Sequence, residues 1–123
     1  MLEGEISRQV IGAAIEVHRT LGPGLLESVY EECLFYELGL RGLRCERQVD
    51  VPVVYKDLES AGLLRADLVV EGVILVELKA VDRIAPIHEA QLMTYLRLTG
   101  IRVGLILNFN AMTLKNGIVR KVL

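Results

Sequence analysis

Along residues 7–21 the apolar side chains Val10, Ala14, Val17 and Leu21 fall at the spacing of one helical face, and Gly22-Pro23-Gly24 ends the segment. A second helical stripe starts near Leu25, runs through Leu26, Val29, Tyr30, Cys33 and Leu34, and fades at Gly39 and Gly42. At Cys45 the period changes to two. Cys45, Arg47, Val49, Val51, Val53 and Tyr55 then share one side of a predicted strand, which breaks over residues 56–62. Pro52 has no N–H for a ladder, so this strand is expected at a sheet edge or a bulge. Residues 63–70 and 73–81 predict two strands joined around Glu71-Gly72 as a β-hairpin. Pro86 opens a third helix to about Thr99, a strand follows over 101–109, and Asn116-Gly117 predicts the tight turn of a last hairpin.

The order αα-βββ-α-β plus a C-terminal hairpin predicts an α/β (α+β) fold, with a central mixed β-sheet flanked by α-helices. At 123 residues the chain is expected to form a single domain over 1–123, able to bury roughly two thirds of its unfolded surface. With 52% apolar and 24% charged residues it has the balance of a compact fold rather than a disordered one. Two Phe, four Tyr and no Trp make the expected core aliphatic.

No apolar run approaches the roughly 18 residues of a membrane span. The stretch MLEGEISRQ lacks a basic leader followed by an apolar block, so a cytoplasmic location with no membrane partner is expected. Cys33 and Cys45 are too few and too irregularly placed for a disulfide framework or a zinc site, and are expected to be reduced core residues. The net charge of −2 argues against tight non-specific binding of nucleic acid, which comes from Lys and Arg displacing counterions. Arg41, Arg44 and Arg47 form one basic cluster, expected to be solvated. Any nucleic-acid contact must be local or depend on a metal.

Candidate chemistry comes from the charged residues that interrupt apolar segments. In the run from Val73 to Val81 only Glu77 and Lys79 are charged, and being two apart they project from one face. The bland alternative is a half-solvated strand with an incidental ion pair. Asp67 precedes Glu77 by ten positions, so the two share a face only if the hairpin loop holds an odd number of residues. A three-residue loop containing Glu71-Gly72, with Gly72 at positive φ, meets that condition, whereas a two-residue loop would separate them. Glu27 falls in the first turn of the second helix, where a carboxylate also complements the helix dipole. Gly24 suits a tight backbone approach, and Tyr30 lies on the helical face of Glu27. Gln91 and Tyr95 are four apart on the third helix, with His88 three before Gln91. His88 and His18 are expected as solvated or capping residues rather than ligands.

These residues together resemble the PD-(D/E)XK nuclease superfamily. Gly24-Leu25-Leu26-Glu27-Ser28-Val29-Tyr30 looks like the signature of its bacterial GxxExxY proteins, and Gln91-Leu92-Met93-Thr94-Tyr95 looks like the QxxxY motif of RecB-type nucleases. Asp67 matches the motif aspartate, and Glu77-Leu78-Lys79 matches the (D/E)XK segment. Ala66 stands where the motif has proline, which removes no ligand.

The resemblance covers nearly the whole chain and implies a restriction-endonuclease-like core, a Mg²⁺ or Mn²⁺ ion and hydrolysis of nucleic acid, with DNA the expected substrate. Asp67 and Glu77 are then the expected direct ligands, with the Leu78 carbonyl as a further ligand and Glu27 binding directly or through water. Lys79 is expected to orient water and stabilise transition-state charge, Gln91 to position Lys79 or the phosphate, and Tyr95 to support Gln91. Three converging carboxylates against one Lys79 would be costly if partly buried, by several kcal/mol, and a divalent cation removes that imbalance. An all-oxygen donor set suits Mg²⁺ or Mn²⁺ better than Zn²⁺. The alternative is a catalytically silent nucleic-acid- or protein-binding module that retains the fold and site. A homodimer would extend so short a chain's reach, and the apolar tail 118–123 is expected either to form such an interface or to finish the sheet.

Overall fold

The computed structural model describes residues 2–123, and of Ser60 the backbone alone; Met1, part of the N-terminal stretch considered above, lies outside the described residues. Two helices, α1 (Glu3–Leu21) and α2 (Glu27–Leu40), precede β1 (Cys45–Tyr55), β2 (Leu58–Val70) and β3 (Ile74–Lys79). After α3 (Pro86–Thr99) come β4 (Val103–Asn108), a 3₁₀ turn (Leu114–Gly117) and β5 (Ile118–Val122). The five strands form one mixed sheet in sequence order, β3 and β4 pairing in parallel and the other neighbours antiparallel.

Helices cover both faces. Val10, Ala14 and Val17 of α1 and Tyr30, Leu34 and Leu38 of α2 pack on Leu68, Val70, Ile74, Val76, Leu78, Leu105 and Leu107. On the other face Leu92 and Leu96 of α3 pack on Val51, Ala66, Val69, Leu75 and Ile106. Burial on both sides explains why β3 and β4 read as nearly continuous apolar runs. Gly104 lets α3 settle on β4, since a Cβ there would lie 2.7 Å from Leu92 Cδ1.

The predicted elements form, with three changes. Only Lys56-Asp57 separates β1 from β2, Tyr55 pairing with Leu58, so the break expected over 56–62 shrinks to a two-residue turn and 58–62 are strand. The resulting ribbon runs past β3, whose antiparallel register with β2 spans Leu68 to Val70. Asn116-Gly117 belongs to a 3₁₀ turn and not to a tight hairpin turn; β5 returns against β4 after residues 109–117. Finally, the expected single side of β1 divides at Gln48. Cys45 packs with the α1/α2 core, whereas Val49 and Val51 pack with the α3 core.

Candidate metal and phosphodiester site

The β2–β3 turn is Glu71-Gly72-Val73, with φ of 53° at Glu71 and 68° at Gly72. An odd loop sets Leu68 opposite Val76, and the same register carries Asp67 to Glu77. There the regular ladder gives way to side chains. Glu77 Oε2 accepts from the Asp67 N–H at 2.8 Å, and Asp67 Oδ2 accepts from the Leu78 N–H at 2.8 Å. Each carboxylate therefore takes a backbone donor of the opposite strand and is fixed by it.

Ile74, Val76 and Leu78 enter the α1/α2 core, and Leu75 enters the α3 core, so alternation puts Glu77 and Lys79 on the α3 side. They line a small cleft there with Leu64, Gln91, Thr94 and Tyr95. Glu77 is only 9% exposed, which sets aside a half-solvated strand face. Burial, joined by the charge of Asp67, pushes the Glu77 carboxyl up to about 7; the Asp67 N–H and Lys79 oppose the rise and Glu27 adds to it. Burial also raises Asp67, with the Leu78 N–H opposing, Glu31 adding, and Gln48 and Lys79 opposing.

These oxygens fit a hard divalent cation. A buried Glu77 and a half-buried Asp67 side by side repel, both resist ionisation, and a cation would reverse each tendency. Asp67 Oδ1 and Glu77 Oε1 are the oxygens not engaged by those backbone donors. The expected convergence of three carboxylates is not formed: among the described residues no three His, Cys, Asp or Glu side chains cluster at metal-binding distance. Glu27 is exposed at the first position of α2 and reaches Glu77 through its charge.

Tyr30 is fully buried and stacked on Phe109 with ring centroids 4.6 Å apart. Its hydroxyl donates to the Gly22 carbonyl at 2.6 Å and accepts from the Leu25 N–H at 3.1 Å, closing the loop that delivers Glu27. Gly24 serves that loop through a φ of 98° and not through a close approach, since a Cβ there would meet nothing within 4 Å.

Gln91 stands in the cleft but is not bonded to Tyr95. The Tyr95 hydroxyl donates instead to the Arg65 carbonyl at 3.1 Å, tying α3 to β2 two residues before Asp67. His88 Nδ1 accepts from the Ala85 N–H at 3.0 Å and caps α3. His18 is neither solvated nor a cap: it is buried beside Phe109, with Nε2 2.8 Å from the Ala111 carbonyl. The basic cluster is largely paired within the chain, Arg41 with Glu37 and Arg47 with Glu31 and Glu32.

Three residues emerge that the sequence reading passed over. Glu31 follows Glu27 by four positions on α2, a spacing that signals a shared face. Its Oε1 accepts from Gln48 Nε2 at 2.5 Å, and the same nitrogen lies 3.4 Å from Asp67 Oδ1. Asn108, opposite Lys79 across the parallel pair, is buried and bonds both the N–H and the carbonyl of Val81, so it pins the chain leaving the site.

Helices on both faces of a mixed sheet, with two carboxylates and a lysine at one end of β3, define the restriction-endonuclease-like class of α+β protein. A family model described as the PD-(D/E)XK nuclease superfamily matches residues 4–121. The chain belongs to that superfamily. No curated protein and no solved structure matches it.

Proposed function

We propose that the chain is a divalent-metal-dependent nuclease that hydrolyses phosphodiester bonds of DNA with Mg²⁺ or Mn²⁺, and that its closer likeness is to the GxxExxY proteins. One observation carries this reading: Asp67, half-buried, and Glu77, buried, face each other across the hairpin, both disfavoured as anions, with Lys79 two residues on along the same face.

Asp67 Oδ1 and Glu77 Oε1 would hold the ion, with the Leu78 carbonyl beside them and Glu27 acting through its charge or an intervening water. A divalent ion there supplies a Lewis acid for a phosphate oxygen and lowers the pKa of bound water. Lys79 directs its ammonium at the entering water and at the charge that grows on the phosphoryl oxygens. Gln91, exposed at the cleft mouth, offers an amide to the phosphate. Tyr95 positions by holding β2 against α3, and Tyr30 and Gly24 position by shaping the loop before Glu27. His88 maintains the start of α3.

The test is cleavage of labelled single-stranded and duplex DNA and RNA with Mn²⁺, Mg²⁺ or chelator, beside Glu77→Ala and Lys79→Ala. Glu77→Ala is expected to lose both Mn²⁺ binding and cleavage. Lys79→Ala is expected to keep the ion and lose at least about 100-fold in turnover, the scale of one lost transition-state donor. Full activity in clean Glu77→Ala protein would refute the assignment.

The engagement of both carboxylates by backbone donors, with no third His, Cys, Asp or Glu clustered with them among the described residues, favours a second reading: a silent nucleic-acid- or protein-binding module of the same fold. Mn²⁺ binding that Glu77→Ala removes, without cleavage of any substrate by the parent protein, would select it.

A further inference from the structure

Asp67 sits where the sheet is interrupted on both flanks. Towards β3 the carboxylates displace the ladder, and towards β1 the pairing lapses at one position: Arg47 pairs with Leu68 and Val49 with Ala66, but Gln48 and Asp67 between them do not pair. At this level the ribbon also changes faces. Leu68 and Val70 pack on the α1/α2 side, and Ala66 and Leu64 pack on the α3 side.

Gln48 makes this turn of the backbone with a φ of 48°. The other non-glycine residues at positive φ, Lys56 and Glu71, lie in hairpin turns, where such a conformation is common. Gln48 adopts it inside a strand, which a glutamine rarely does. Strain at such a place is a reason to ask what the side chain does.

Its amide spans two carboxylates, with Nε2 at 2.5 Å from Glu31 Oε1 and 3.4 Å from Asp67 Oδ1. Glu31 is itself fixed. Arg47 forks onto Glu31 Oε2 at 3.1 and 3.2 Å, and its guanidinium lies 5.0 Å over the Phe35 ring. A relay therefore runs from the α2 surface through Arg47, Glu31 and Gln48 to Asp67.

We propose that Gln48 is a positioning residue of the site: it orients Asp67 Oδ1 for the cation and holds Glu31 out of the ligand set. The inference rests on the reading of Asp67 and Glu77 as ligands. The residue type follows from the chemistry. One NH₂ group has two N–H donors, so it satisfies both anions without adding charge. A lysine would bring a cation to compete with the metal, and a glutamate would repel both neighbours.

The test is calorimetric titration of the full chain with Mn²⁺, together with urea denaturation, for the parent, Gln48→Gly and Gln48→Asn. Glycine and asparagine both tolerate the left-handed backbone, and neither side chain spans the two carboxylates. Both variants are expected to remain as stable as the parent or become more so, while Mn²⁺ affinity falls about 10-fold or more, the usual scale for a residue that orients a metal ligand. A purely structural role would instead lower stability and affinity together. Parent-like Mn²⁺ affinity in Gln48→Gly would overturn the inference alone. A parent protein that binds no Mn²⁺ would overturn the metal reading and this inference with it.

Discussion

Asp67 and Glu77 hold each other in place through the backbone: the Glu77 carboxylate accepts the Asp67 N–H, and the Asp67 carboxylate accepts the N–H of Leu78 next to Glu77. This reciprocal grip sets two anions together inside the sheet while leaving one oxygen of each for a ligand. Its cost appears in the upward displacement of both carboxyls, with burial as the largest cause. The arrangement is strained without a cation and compatible with one.

That cost gives the metal-free protein a defined pH dependence. Glu77 moves from an ordinary 4.5 to about 7 in the folded state, so the folded state binds more protons between those values. The contribution is fully present below pH 4.5 and is lost as pH rises through about 7, a change on the order of 3 kcal/mol. Urea denaturation in chelator is expected to show the parent losing stability over this window relative to Glu77→Gln, with the two alike near pH 4.5. Saturating Mn²⁺ is expected to remove the parent's deficit near pH 7. Parallel profiles of parent and Glu77→Gln in chelator would contradict the assigned shift.

Removing the Tyr30 hydroxyl tests how the loop before Glu27 is held. Tyr30→Phe keeps the ring on Phe109 but gives up the bonds to Gly22 and Leu25. A loss of about 1 to 2 kcal/mol is expected, with faster amide exchange at Leu25 and little change at Leu34 or Leu38. Unchanged exchange at Leu25 would show that the hydroxyl does not hold the loop.

Gly104 controls the seat of α3. Gly104→Ala places a methyl against Leu92 and Leu96, and should cost roughly 1 to 3 kcal/mol by overpacking. Since α3 carries Gln91 and Tyr95, substrate affinity is expected to fall with stability while Mn²⁺ affinity at Asp67 and Glu77 stays near that of the parent. Denaturation and Mn²⁺ titration of the same sample check both parts.

Much of the site's layout follows from rules local to the chain. Glu77 and Lys79 share a face because side chains alternate on any strand, and Asp67 joins them because parity across a hairpin depends only on loop length. Residues 71–73 supply the odd loop. The spacing of Gln91 and Tyr95 likewise put both at the cleft once α3 formed.

Tertiary packing decided what those rules do not reach. The reversal of faces at Gln48 breaks the alternation on which strand reading depends, and it is set by the ribbon passing from the α1/α2 layer to the α3 layer. The partners of Tyr95, His18 and Tyr30 are backbone groups of distant or loop residues, Arg65, Ala111 and Gly22, and backbone acceptors leave no mark in a side-chain pattern. The burial that raises Glu77 exists only after α3 closes over β3. The sequence by itself determined the elements, their order and the residues able to share a face, because these depend on local periodicity. Only the tertiary structure decided which oxygens the backbone donors leave open, that Glu27 stands apart from the pair, and that Glu31 and Gln48 reach Asp67, because those depend on how separate layers pack.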